Sequence, residues 1–215
     1  MVRAVFFDIG ETILDETRQW QAWADWLGVP ALTFFAALGV CIERGLHHRA
    51  VFEMLRPGFD LERERREFAA AGRERAARVE DLYPDAAPCL RALRDAGLRV
   101  GLAGNQPSSV EPALASMGLA VDVIASSAGW GVEKPSPEFF ARVAEAAGEP
   151  PQAIAYVGDR LDNDVLPALD AGMVAVFLRR GPWGMVHAGR PDAARAHLRI
   201  DSLDLLLAGL RGLAD

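Results

Sequence analysis

Short apolar segments recur along the chain, and their spacing is the feature that most constrains its fold. The first occupies residues 3–10 and carries Asp8 near its end. The others lie at residues 98–103, 121–126, 153–158 and 174–179, with a weaker one at 198–200. Such runs are typical of parallel strands buried on both faces. Because they alternate with helical patterns from residue 85 onward, we predict an α/β fold with a Rossmann-like, doubly wound parallel sheet.

Residues 16–82 interrupt this alternation. Apolar side chains recur here at helical spacing, including Trp20, Trp23, Ala24, Leu27, Phe34, Phe35, Leu38, Ile42 and Leu46. Residues 60–81 contain seven acidic residues and six arginines, as in a solvated surface helix. The expected organisation is a core of residues 1–15 and 83–215, with an α-helical cap, residues 16–82, inserted after the first strand.

Composition excludes several classes of protein. Thirty acidic and 23 basic residues give a net charge of −7, whereas a nucleic-acid-binding protein needs a basic face. Two cysteines, Cys41 and Cys89, argue against a disulfide framework or a cysteine zinc site. The longest uncharged stretch, residues 26–42, is shorter than the roughly 20 residues of a membrane span. We expect a cytoplasmic protein without a signal peptide, and the sequence leaves its oligomeric state open.

Polar residues stand at the carboxyl ends of four of the predicted strands. They form four pieces, at residues 8–12, 104–105, 134–135 and 158–164. In a doubly wound sheet the carboxyl ends of the strands converge on one crevice. Lys134 is the only lysine, and Asn105 and Asn163 are the only asparagines. This usage suggests that the chain keeps these residue types where chemistry requires them.

With these four pieces in order, the chain resembles the haloacid dehalogenase superfamily, in the subgroup with a helical cap after the first strand. The resemblance extends over essentially the whole chain. Asp8 is a carboxylate at a strand tip, able to attack a phosphorus atom and form an acyl-phosphate. Lys134 would neutralise that carboxylate and a phosphoryl oxygen. Gly104, Asn105 and Lys134 would bind the phosphoryl oxygens, although a turn asparagine is the competing interpretation of Asn105.

The same resemblance implies a Mg²⁺ site. It assigns the ion to Asp8, the backbone carbonyl of Gly10 and Asp159, with Asp164 as a further ligand or as the holder of a bound water. Carboxylate oxygens suit Mg²⁺ better than zinc. An acidic residue at a helix N-terminus is the alternative interpretation of Asp164.

Two supporting residues and two departures from the family pattern complete the expected site. Thr12 would hydrogen-bond within the loop after the first strand, and Asn163 would orient Lys134 or the nucleophile loop, although both also suit ordinary turns. Gly10 stands where these phosphatases carry a second aspartate as general acid and base, and Gly104 stands where they carry Ser or Thr. General acid–base help contributes about 10²–10⁴-fold, so its loss predicts a slow enzyme or another proton carrier. Glu11 is adjacent to Gly10, but its side chain is expected to point elsewhere.

Three functions are compatible with these residues. We favour a Mg²⁺-dependent phosphatase that acts on a small phosphorylated metabolite. A non-catalytic binding or regulatory protein is the second alternative, favoured by Gly10 and Gly104. A 2-haloacid dehalogenase is a weaker one, because those relatives lack the second aspartate but need no metal. A phosphonate-cleaving enzyme is excluded, because its Schiff base needs a cap lysine and the chain has none.

Overall fold

A computed structural model describes residues 1–74 and 76–213 of the chain. The protein divides into two compact units. The first, which we call the sheet unit, consists of Met1–Asp15 and the residues from Ala77 onward. The second, which we call the helical unit, consists of Glu16–Ala76. That residues 16–82 act as a cap stays a prediction.

The described residues of the helical unit form four helices, α1 (Thr17–Leu27), α2 (Ala31–Glu43), α3 (Ala50–Leu55) and α4 (Leu61–Ala70). Gly28 ends α1 in the left-handed conformation, and the Asp60 carboxylate caps α4 by accepting from the Arg63 amide at 3.1 Å. The charge-dense segment is helical as far as Ala70, and a left-handed Gly72 follows, so the surface helix indicated by its composition covers only the first part of residues 60–81.

Aromatic rings fill the core of the helical unit. Trp23 stacks on Phe68 with centroids 4.1 Å apart and meets Phe52 edge-on at 5.0 Å. Phe34 packs against Phe52 in turn. The apolar residues read from the sequence as a helical stripe therefore do pack, apart from Leu46, which lies beyond the end of α2 and is exposed. In the described part of the chain no single helix is long and apolar enough to cross a membrane. Only α1 and α2 taken together have the necessary length and composition, and the two helices are bent by 110° relative to each other.

The sheet unit, over its described residues, contains six strands, β1 (Ala4–Phe7), β2 (Arg99–Gly104), β3 (Val123–Ser126), β4 (Ile154–Gly158), β5 (Val174–Leu178) and β6 (Leu198–Ile200). All neighbours pair in parallel, in the order β3-β2-β1-β4-β5-β6. This is a doubly wound, Rossmann-like sheet, and the prediction of its class and of all six strands is confirmed. The order reverses between β1 and β4, so a crevice is expected beyond their carboxyl ends.

As far as residue 213, seven helices accompany the sheet: α5 (Ala86–Asp95), α6 (Val110–Ser116), α7 (Ser127–Trp130), α8 (Pro137–Ala147), α9 (Leu166–Asp170), α10 (Gly181–His187) and α11 (Leu206–Gly212). Apolar residues of α5, α6 and α11 share one core with one face of the sheet, and those of α8 and α9 share a second core with the other face. Short 3₁₀ turns lie at Val79–Asp81, Pro151–Ala153, Pro191–Arg195 and Leu203–Leu205.

The helix ends follow the local sequence with one exception. In the sequence, Ser136 and Pro137 predict a helix start and Gly148 predicts its end. In the structure Ser136 caps α8, Pro137 occupies its first turn and Gly148 ends it in the left-handed conformation, which confirms this prediction. The sequence also predicts a short helix over residues 163–172, and there the structure differs. A π-helical turn occupies Leu161–Val165, and α9 begins only at Leu166. π-Helical turns are rare in proteins as a whole, but those that occur are often found at functional sites.

Candidate active site

Lys134 lies at the centre of a cluster of buried charges. It belongs to the segment between α7 and α8, and 4% of the residue is exposed. Its Nζ donates to Asp8 Oδ1 at 2.6 Å and to Asp164 Oδ1 at 2.6 Å. The sole lysine thus bridges a carboxylate after β1 and a carboxylate from the turn after β4, which the order of the sheet places side by side.

Glycines make room for both of these carboxylates. Gly104 ends β2, and a Cβ at that position would lie 2.7 Å from Asp8 Oδ1. Gly158 ends β4, and a Cβ there would overlap the Asp164 carboxylate. The Asp8 carboxylate lies directly against the backbone of residue 104, so in this conformation a Ser or Thr side chain at that position would collide with it.

The π-turn after β4 aims Asp164 at the lysine. Asp159 directly follows β4, and Asp164 Oδ2 accepts from the Arg160 backbone N–H at 3.0 Å. This bond closes the turn and leaves Oδ1 for Lys134. Among the described residues no hydrogen bond joins Asn163 to Lys134, so the neighbour Asp164 makes the contact that we expected of Asn163. The difference arises from the turn, which carries position 164 inward.

Three carboxylates form a group that could hold a metal ion. One oxygen from each of Asp8, Asp159 and Asp164 lies within 4.8 Å of the others, and all three residues are buried. Asp159 Oδ2 is buried without a hydrogen-bond partner. Leaving a buried charged oxygen unpaired is costly, so a bound cation fits this site. The oxygen-only donor set suits Mg²⁺, as the prediction requires.

The pKa shifts in the cluster follow from burial and from its excess of negative over positive charge. Burial raises the pKa of Asp159 well above its usual range, and the carboxylates of Asp164 and Asp8 raise it further. Burial raises the pKa of Asp164 to about 6, although Lys134 works against this. Burial alone would lower the pKa of the Lys134 ammonium, but the charges of Asp164 and Asp8 raise it well above its usual value. One lysine is therefore too little to balance three carboxylates.

Asn105 holds Lys134 by its backbone. Its Oδ1 accepts from the Lys134 N–H at 2.8 Å, and its Nδ2 donates to the Lys134 carbonyl at 2.9 Å. This reciprocal pair fixes the segment that delivers the lysine. The side chain therefore serves to position Lys134, and phosphate binding by Gly104 and Asn105 stays a prediction.

The loop after β1 differs from expectation in two places. Thr12 is fully buried, but its Oγ1 has no hydrogen-bond partner, so the expected hydroxyl bond within the loop is absent among the described residues. Glu11 is also buried, which the sequence did not indicate. Its Oε2 accepts from the Tyr83 hydroxyl at 2.8 Å, and its charge adds to the rise in the pKa of Asp159. The only sequence feature that could have drawn attention to Glu11 is its position directly between Gly10 and Thr12.

Comparison with known proteins agrees with this architecture. A model of the family described as haloacid dehalogenase-like hydrolase matches residues 2–172. A glyceraldehyde 3-phosphate phosphatase from Methanopyrus kandleri is 38% identical over 104 residues, which cover 47% of this chain and 45% of that protein. One of the same name from Methanothermobacter thermautotrophicus is 26% identical over 231 aligned positions, covering 95% of this chain and 94% of the relative.

A solved structure shares the fold along the whole chain. A HAD phosphatase from Thermococcus onnurineus superposes with a TM-score of 0.61 at 25% identity, covering 97% of this chain and 98% of that one. The match to the Methanopyrus protein spans less than half of that protein's length.

Proposed function

The chain belongs to the haloacid dehalogenase-like hydrolase family, and we propose that it is a Mg²⁺-dependent phosphatase whose nucleophile is Asp8. The observation that carries the proposal is the buried bridge from Lys134 Nζ to Asp8 and Asp164, both at 2.6 Å, beside the unpartnered oxygen of Asp159. A strand-end carboxylate, a cation next to it and a site for a second cation are the parts that phosphoryl transfer needs.

Asp8 would attack first. Its carboxylate oxygen forms a bond to phosphorus while the bond from phosphorus to the ester oxygen breaks, which leaves an aspartyl-phosphate and frees the alcohol. Lys134 balances negative charge on Asp8 before the attack and on a phosphoryl oxygen during it. Because Asn105 fixes the Lys134 backbone, the ammonium is positioned before the substrate binds.

Asp8, Asp159 and Asp164 are the residues that would hold the metal ion, with the Gly10 carbonyl as a further candidate. When bound, Mg²⁺ would supply the positive charge that Lys134 alone does not, and would stabilise charge on the phosphoryl oxygens.

Proton transfer is the weak part of this site. Water must attack the aspartyl-phosphate to release phosphate and restore Asp8, and the leaving alcohol must gain a proton. Gly10 offers no carboxylate for either task, so we propose that turnover is slow for esters with basic leaving groups.

We propose a small phosphorylated metabolite as the substrate. Relatives named glyceraldehyde 3-phosphate phosphatase, phosphoserine phosphatase and phosphoglycolate phosphatase support this class. The net charge of −7 argues against a nucleic-acid substrate.

A metabolite screen with and without Mg²⁺ tests the proposal. It should contain glyceraldehyde 3-phosphate, phosphoserine and phosphoglycolate, together with para-nitrophenyl phosphate. We expect phosphate release with Mg²⁺, loss of that release in EDTA and its recovery on adding Mg²⁺. Asp8→Asn should abolish turnover, because an amide cannot act as the nucleophile.

Asp201→Asn is the matched control. Asp201 also follows a strand directly, but it forms an exposed ion pair with Arg179 at 2.7 Å, so its variant should keep full activity. Phosphatase activity retained by Asp8→Asn would remove Asp8 from its role. Halide release from a 2-haloacid in EDTA would favour the dehalogenase, and no turnover of any substrate would favour the non-catalytic alternative.

A further inference from the structure

Glu11 is held in a conformation that glutamate normally avoids. Its φ is 56°, and it is the one non-glycine residue with positive φ in the described part of the chain. The left-handed region brings the side chain close to the backbone and favours glycine. Glu11 is also 5% exposed, so its carboxylate is buried as well. A strained, buried and charged residue persists only where its surroundings determine it strongly.

Two contacts hold the Glu11 carboxylate from different sides. The Tyr83 hydroxyl donates to its Oε2 at 2.8 Å. On the other side lies Gly181, at the start of α10, where a Cβ would come within 2.6 Å of the same oxygen. Gly181 thus leaves the space that the carboxylate fills, as Gly104 does for Asp8.

Arg180 makes further contacts that hold the loop of residues 11–13. Its guanidinium lies 4.2 Å above the Tyr83 ring and pairs with the Asp85 carboxylate. Its Nη1 donates to the Thr12 carbonyl at 2.9 Å. The Tyr83 backbone N–H also donates to the Ile13 carbonyl at 3.0 Å. Residues 11–13 are therefore tied to Tyr83 and Arg180 by three hydrogen bonds.

We propose that Glu11 is a positioning residue for the nucleophile. Its carboxylate, held by Tyr83 and seated against Gly181, fixes the loop that begins at Asp8, and Arg180 secures the other end of that loop. The backbone would be less strained with glycine at position 11, so the glutamate side chain must contribute what glycine cannot. The inference rests on the proposed role of Asp8.

Replacing Glu11 by glycine separates the side chain from the strain. Glu11→Gly suits φ 56°, and this relief opposes the loss of the Tyr83 hydrogen bond, so its melting temperature should stay close to that of the wild type. With the anchor gone, kcat should fall at least tenfold while KM changes less than twofold, because Glu11 acts through the loop. Glu11→Gln should recover most of kcat, since its amide oxygen still accepts from Tyr83. A Glu11→Gly enzyme with wild-type kcat would overturn the proposal.

Tyr83→Phe completes a double-mutant cycle. If Tyr83 acts through Glu11, Tyr83→Phe lowers kcat in the wild type but has little effect in Glu11→Gly. Effects that multiply independently would contradict the pairing. Asp201→Asn, which breaks an exposed ion pair beside Arg180, is the control for general damage at this end of β5.

Hydrogen exchange gives a test that does not depend on turnover. The amides of Glu11 and Ile13 bond to the carbonyls of Leu14 at 2.7 Å and Ile9 at 2.9 Å. Both amides should exchange faster in Glu11→Gly and Tyr83→Phe, and unchanged exchange would overturn the positioning role. If the wild type cleaves no ester, the proposed function fails, but this measurement still decides whether Glu11 fixes the loop.

Discussion

The sheet unit and the helical unit bury different kinds of side chain. Nine polar or charged residues are buried in the described part of the chain, and Glu64 is the one of them in the helical unit. The other eight belong to the sheet unit and are Asp8, Glu11, Thr12, Ser126, Lys134, Asp159, Asp164 and His187. The core of the helical unit is instead built from aromatic rings.

The two units also differ in how they treat a buried carboxylate. In the helical unit, Glu64 accepts from the Trp26 indole at 2.8 Å and from Arg63 at 3.0 Å, and these bonds lower its pKa. In the sheet unit, burial and neighbouring carboxylates raise the pKa of Asp159, whose Oδ2 has no partner. The helical unit satisfies its charge, whereas the sheet unit leaves charge unbalanced where a cation and a phosphate would bind.

Removing Lys134 should have the largest effect on this contrast. Lys134→Ala leaves Asp8 and Asp164 buried without their cation, which should cost about 3–5 kcal/mol of stability. It should also lower kcat by about 10²–10³-fold and weaken phosphate binding. Lys134→Arg should recover only part of the activity, because a planar guanidinium does not fit between two oxygens as an ammonium does. Thermal unfolding and steady-state kinetics measure both effects. An arginine enzyme as active as the wild type would refute the specific need for lysine.

The core of the helical unit should respond as an ordinary apolar core. Phe68 is 4% exposed and stacks on Trp23, so Phe68→Ala should destabilise the protein by about 3–5 kcal/mol. Phe68→Leu should cost much less, because it fills most of the space. Denaturant unfolding with and without Mg²⁺ checks this. If adding Mg²⁺ removed the difference in unfolding free energy between Phe68→Ala and the wild type, the distinction between the two units would fail.

His187 provides a pH test in the sheet unit. Its Nδ1 accepts from the Leu161 N–H at 3.1 Å, and burial lowers its pKa to about 4. An unfolded histidine has a pKa near 6.5, so the neutral ring contributes its full stability above about pH 6.5. That contribution should be lost progressively as the pH falls from about 6.5 to about 4.

His187→Asn removes this titration while it keeps an acceptor near the position of Nδ1. Its stability should therefore fall less steeply than that of the wild type over the same pH range. Chemical denaturation at intervals of half a pH unit would show the difference. Parallel curves for the two proteins would contradict the assignment.

Gly10→Asp should have the smallest effect, and it tests whether a missing general acid limits turnover in the sheet unit. Gly10 is not among the glycines with positive φ, so an aspartate suits its backbone. If a missing general acid limits the enzyme, the variant should cleave alkyl phosphates about tenfold faster and para-nitrophenyl phosphate little faster. The ratio of the two rates is the measurement. A folded variant with an unchanged ratio would mean that another group already carries the proton.

Local sequence was enough for the strands and for most helix ends. Each strand is a short apolar run, and Ser136, Pro137 and Gly148 delimit α8 through backbone preferences that act within a few residues. The strand ends also indicated Asp8 and Asp159, because a parallel sheet places its carboxyl ends together. The prediction that Lys134 stands at a strand end is wrong, because α7 lies between β3 and Lys134. The early end of α4 and the π-turn at Leu161–Val165 were not predicted, since composition and periodicity do not register a single left-handed residue or one extra residue per turn.

By itself, the sequence determined which residue types could perform chemistry here and that Asp8 and Asp159 directly follow strands. Only the tertiary structure decided their partners. It turned Glu11 inward to Tyr83, placed Asp164 rather than Asn163 on Lys134 and gave the Asn105 amide to the Lys134 backbone. These contacts join residues 29 to 72 positions apart. Their geometry depends on φ angles and on the space left by glycines on other strands, which no local pattern contains.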